Sequence, residues 1–194
     1  MLRRNLVALA AVLPAAALAT RAFAQDAAAP AADMAMPAMG EAEMTHAEQT
    51  GMVGSMSLLQ SRMAVEKAAD AKVRMFAEFE VAEQETIADI LKSMMEDGPN
   101  DAQGALQPPT DEEVMTMAGP DAAAMMSEME ALSGAEFDMA YVTANLEGHQ
   151  QLLAIQEEYL TVGTNREHLS VAKLARGMIT EHIAHLEELQ AMMG

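Results

Sequence analysis

Phe137, Tyr141, Ala144, Gly148, Leu152, Ile155, Tyr159 and Val162 follow one another at intervals of 4, 3, 4, 4, 3, 4 and 3 residues. Such intervals keep side chains on one face of an α-helix and scatter them over both faces of a strand. Eight positions make a helix of about seven turns, long enough to need a helical partner along its whole length. Ser133-Gly134-Ala135-Glu136 reads as a capping box that opens it, and Gly163 ends it. Thr164 and Glu167 read as the next capping box. Leu169, Ala172, Ile179, Ile183, Leu186, Leu189 and Met193 then carry a last helix.

Two earlier stretches have the same period. From about Gly54, Leu58, Leu59, Met63 and Val65 mark a helix that ends near Ala69. Asp70 is the expected N-cap of the next, with Val73, Phe76, Ile87, Ile90, Leu91 and Met94 on its stripe and a stop at Asp97-Gly98-Pro99-Asn100. Residues 98–133 form a long connection. In it, Thr110 and Glu113 form a capping box for a short helix that dies at Gly119-Pro120, and Met125, Met129 and Leu132 mark a second. Strand-like alternation is absent. The expected fold is all-α: an antiparallel four-helix bundle with a long connection carrying short helices between helices 2 and 3.

The N-terminus has another character. Arg3 and Arg4 precede an apolar run from Leu6 to Ala19, and Ala22-Phe23-Ala24 stands before Gln25. A run of that length spans about 21 Å as a helix, short of the roughly 30 Å hydrocarbon core. Residues 1–24 therefore read as a signal peptide, by the Sec route or, from the arginine pair, the twin-arginine route. No second long apolar run follows, so no transmembrane segment is expected after cleavage, and the expected location is periplasmic. Residues 25–50, rich in Ala, Met and Pro, read as a disordered tail, leaving 51–194 as the bundle domain.

Charge and cysteine content exclude whole classes. The chain has 30 acidic and 11 basic residues. A net charge of −19 argues against a nucleic-acid binder held by phosphate contacts. Cysteine is absent, which removes disulfides, thiol catalysis and iron–sulfur clusters. No nucleophile–base arrangement, phosphate loop or dinucleotide motif occurs, so no catalytic residue is assigned.

Leu132-Ser133-Gly134-Ala135-Glu136-Phe137-Asp138, followed by Tyr141, His149 and His182, resembles the bacterial family called domain of unknown function 4142. Val73 and Phe76-Ala77 fit as well, and the likeness covers roughly residues 52–192. The resemblance implies an exported, ferritin-like bundle of the kind often described as an outer membrane protein, and no established activity. The second helix in that family usually carries an Asp-His pair; Glu83-Gln84 stands there in this chain.

The interior of such a bundle can hold a metal. Up-down-up-down topology is expected to put both short turns, near residues 69 and 163, at one end, from which heights are counted. At about 1.5 Å per residue, Glu83 and His149 both lie about 21 Å up, and His182 about 26 Å up with Met178 one turn lower. Glu83, His149, Met178 and His182 are thus the candidate ligands, a mixture that suits copper or iron better than calcium. The plain alternative is that both histidines edge the core, and His168 and His185 read as more exposed still. Within the bundle no Glu-x-x-His occurs, which disfavours a di-iron enzyme; the single instance, Glu43 to His46, falls in the tail. A second candidate set, Met34, Met36, Met39 and His46, could hold Cu(I) there, against compositional drift or an oxidisable methionine pool. The reading is an exported binder of a transition metal rather than an enzyme. Its rivals are a metal-dependent oxidase of the ferritin-like class and an acidic module whose segment 110–132 meets a basic periplasmic protein.

Overall fold

A computed structural model describes residues 39–95 and 104–194. The described residues are helical and contain no strand: α1 (Glu41–Lys67), α2 (Ala71–Met95), α3 (Asp111–Ala118), α4 (Ala122–Glu130), α5 (Gly134–Val162) and α6 (Arg166–Met193). None of these helices is long and apolar enough to cross a membrane.

Capping accounts for most boundaries. Asp70 Oδ1 accepts from the amides of Lys72 and Val73, so α2 starts where expected. Thr110 and Glu113 form the expected reciprocal box at α3, and α3 ends at Gly119, whose φ of 94° suits glycine. Two expected caps differ. Ser133 makes no side-chain cap bond. Asn165, one residue after Thr164, is the cap of α6 and accepts from the amides of Glu167 and His168. The stop expected at 97–100 lies outside the described residues.

The largest difference is at the start. Helix α1 begins at Glu41, so residues 41–50, read as tail, are helical and carry buried side chains. The stretch looks polar because its inward residues, Glu43, His46 and Thr50, find polar partners inside.

Cross-helix bonds fix the directions. Ser57 meets Asn145, Ser61 meets Tyr141 and Thr50 meets Gln156, so α1 and α5 run antiparallel. The three-residue link 68–70 turns α2 back along α1. Helices α2 and α5 therefore point the same way, and the two short turns lie at opposite ends. The up-down-up-down topology expected from the sequence, with both turns at one end, is not the one found. A helix of 25 residues is about 37 Å long, so the link from α2 to α5 must travel back that distance. The long connection does this, with α3 and α4 packed against α1.

Each short turn is held by a buried carboxylate from the other helix pair. Asp138 on α5 accepts from the amides of Ala69 and Asp70 at 3.0 and 2.8 Å. Glu43 on α1 accepts from the amides of Thr164 and Asn165 at 3.0 and 3.1 Å, and from the Tyr159 hydroxyl. These donors outweigh the cost of burial and hold Glu43 down at about 2.

Apolar packing is divided. One cluster at the Asp138 end joins Ala64, Val73, Phe76, Phe137, Tyr141, Leu186 and Leu189. A smaller one joins Leu152, Ala175 and Ile179. Much of the rest of the interior is polar: Ser57, Gln60, Ser61, Glu80, Asn145, His149 and Gln156 are all at most 3% exposed.

Candidate metal centre

Helix α2 carries its apolar stripe inward at Val73, Phe76 and Ala77, and the next inward position is Glu80. This carboxylate is fully buried. Helix α5 brings His149, also fully buried, to the same level, and α6 brings His182, which is 8% exposed. The three donor atoms form a small triangle. Glu80 Oε2 lies 3.2 Å from His149 Nε2 and 2.9 Å from His182 Nδ1. The two nitrogens are 3.2 Å apart. Three donors of one tetrahedral ion with bonds of ~2.0–2.1 Å stand roughly 3.3 Å apart. The trio could hold such an ion with small shifts.

The surroundings fix how each donor is presented. His149 Nδ1 lies 2.7 Å from the Asn145 carbonyl and donates to it, so Nε2 is the nitrogen that faces the centre. His182 Nε2 faces Glu83 Oε2 at 3.4 Å. Glu80 Oε1 accepts from Gln84 Nε2 at 2.8 Å. The Ser57 hydroxyl lies 2.7 Å from both Glu80 Oε1 and Asn145 Oδ1, and its single proton goes to the charged oxygen. Glu80 Oε2 has no hydrogen bond of good geometry. One oxygen is thus tied back and the other is aimed at two imidazole nitrogens. Outer partners of this kind orient metal ligands.

Electrostatics agree with the geometry. Burial pushes the Glu80 carboxyl up, but the His149 and His182 rings and Ser57 outweigh it and hold the group ionised, well below the usual carboxylate range. Burial pushes His182 down, while Glu80 and Glu83 on either side of it win and raise it to about 10. In the metal-free protein His182 is therefore an imidazolium held between two carboxylates.

His149 and His182 are brought together as expected. Glu83 is not in the triangle: it stands one turn beyond Glu80 and touches His182 from outside. Met178 is half-buried and lies outside the trio. The correction follows from topology, because with α2 parallel to α5 the level of the histidines meets Glu80. Glu80 itself, with Ser57, Asn145 and Gln84, escaped the sequence reading. Gln84 bonds to Glu80 and belongs to the rim of the centre. Gly54 makes room for it: a Cβ there would sit 2.5 Å from Gln84 Oε1.

Of the second candidate set, only Met39 and His46 fall among the described residues. Met34 and Met36 lie outside the described residues, and Met39 is half-buried just before α1. His46 is buried and bonded, with Nδ1 2.7 Å from His168 Nε2 and Nε2 2.8 Å from Gln156 Oε1. His168, read as exposed, is 1% exposed. Glu43 of the Glu-x-x-His pair already accepts from both turn amides, Tyr159 and the Gly40 amide. In the acidic connection, Asp111 pairs with Arg62 and Glu113 with Lys92, so part of its charge is answered within the chain.

No curated protein and no solved structure matches the chain. A family model described as "Domain of unknown function (DUF4142)" matches residues 15–189, nearly the whole length, and the chain belongs to that family.

Proposed function

We propose that this protein is an exported, ferritin-like four-helix bundle that holds one transition-metal ion, copper or iron, through Glu80, His149 and His182. The observation that carries the reading is the buried triangle of donor atoms, with Glu80 Oε2 aimed at two nitrogens whose far sides are already bonded. Two imidazoles and one carboxylate suit borderline first-row metals. Bound there, the ion would be a mononuclear centre with at least one position left for a small ligand. Among the described residues no second group of donors is brought together beside it. The same ligand set is that of mononuclear iron oxygenases, which keeps a metal-dependent oxidase as the second reading.

Metal analysis tests it directly. Wild-type protein purified from the periplasm without added metal should carry close to one ion per chain after exposure to Cu(II) or Fe(II). His149→Ala and His182→Ala should each lose it, since a two-donor remnant cannot hold the ion through gel filtration. Equal metal content in all three proteins would overturn the site. Loading must displace a proton from His182 Nδ1, which is charged at neutral pH. The binding enthalpy should accordingly change with the ionisation enthalpy of the buffer.

Export rests on the basic n-region, the short apolar run and Ala22-Phe23-Ala24. Protein from the periplasmic fraction should begin at Gln25 or within a few residues of it. N-terminal sequencing that finds Met1 there would refute cleavage.

A further inference from the structure

We infer that a metal ion reaches this centre through the seam between α2 and α6, and that Glu83 is the positioning residue that captures it there and orients His182 to receive it. The inference rests on the metal-centre reading above.

The exposure of the polar groups points to this side of the molecule. The Glu80 side chain is 0% exposed, His149 1%, His182 10% and Glu83 33%. The gradient runs outward through His182 to Glu83 and nowhere else among the three ligands. The packing agrees. Helices α1 with α2, α1 with α5, and α5 with α6 lie against one another along their lengths, whereas α2 and α6 touch sparingly. One turn before Glu80 on α2, Phe76 packs against both rings, with centroids 5.2 Å from His182 and 6.2 Å from His149. On the α1 side Ser57 and Gln84 hold Glu80 Oε1 and stand between it and an apolar cavity of about 770 Å³ lined by Gly54, Leu58, Gln84 and Ile87.

Glu80 and Glu83 are three residues apart on one helix and therefore share a face. They form two carboxylate steps, one at the mouth and one inside, with the His182 ring between them. The outer step can attract a hydrated cation and exchange its waters before the buried oxygen takes over. It also accepts from His182 Nε2–H, which fixes the tautomer whose Nδ1 lone pair faces inward. Glu83 thus acts twice, on the rate of entry and on the strength of holding, without being a ligand.

The experiment is Co(II) loading at pH 7.5, followed by its visible absorption in a stopped-flow instrument. Wild type, Glu83→Gln, Glu83→Asp and the control Glu78→Gln are compared. Glu78 is an exposed carboxylate on the same helix. Glu83→Gln should load at least tenfold more slowly and bind about 10–100-fold more weakly, the usual loss when a second carboxylate behind a histidine ligand is removed. Glu83→Asp should recover part of both. The wild-type loading rate should fall as salt rises, and that slope should flatten in Glu83→Gln. A purely structural role for Glu83 would not move the salt slope. Equal rates and affinities in wild type and Glu83→Gln would overturn the inference while leaving the centre intact. No Co(II) bound by wild type would instead refute the centre itself.

Discussion

Glu80→Ala is expected to abolish metal binding and to destabilise the metal-free protein by about 3–5 kcal/mol at neutral pH, the cost of leaving buried charge unpaired. The two effects have one origin. Glu80 is the sole carboxylate in the triangle and the inner counter-charge of His182. Without it, Ser57 and Gln84 lose their acceptor, and His182 must give up its proton or stay charged against Glu83 alone. Urea melts with chelator present measure the stability term, and metal analysis measures the binding term. His149→Ala separates them: it removes a ligand and leaves the Glu80–His182–Glu83 arrangement standing, so binding should go with a smaller loss of stability. Unchanged urea midpoints in Glu80→Ala would mean that the carboxylate is not holding an imidazolium.

The helical fold was legible because its signals are local. The Thr110–Glu113 box, the Asp70 cap and the 3–4 spacing on α2, α5 and α6 need no knowledge of the partner helices. What was not legible is which helix end lies beside which. That depends on the route of the connection between α2 and α5, and a wrong choice moved the expected carboxylate by one turn. The interior was misread for a second reason. A search for apolar positions follows Phe137, Tyr141, Leu152 and Tyr159 correctly, but it also selects Val162, which is 57% exposed, and passes over Asn145, His149 and Gln156, which face inward. The stripe on α2 held the clue. It jumps from Phe76 to Ile87, and helical spacing requires inward residues between them; Glu80 and Gln84 fill the gap. A polar residue in a gap of an otherwise regular apolar stripe is a better marker of a buried site than a count of histidines.

The end of the molecule around Glu43, His46 and His168 gives the second large effect: metal-free protein should be most stable near pH 6.5 and weaken on both sides. His46 and His168 are buried against each other, and burial, the largest cause for both, pushes them down, His168 to about 4. Unfolded, each titrates near 6.5. Between those values the unfolded chain binds more protons, so stability is complete above 6.5 and is lost as pH falls toward 4. Glu43, held at about 2, adds a further loss as pH falls below the ordinary glutamate range near 4.5. His182 has the opposite sign. Its pKa is raised to about 10, so its contribution is complete below 6.5 and is lost as pH rises toward 10. The expected melting temperature falls by roughly 5–10 °C from pH 6.5 to 4.5, because the unfolded chain takes up protons that the buried, facing nitrogens of His46 and His168 resist in the folded state. His168→Leu should flatten this acid limb, since the replacement leaves one histidine of the pair and removes His168 Nδ1, a buried nitrogen with no partner. The alkaline limb should survive in that variant and vanish when metal is bound, because His182 Nδ1 then holds the ion in place of a proton. An acid limb equally steep in wild type and His168→Leu would show that another group controls it, and an alkaline limb untouched by metal would detach His182 from the centre.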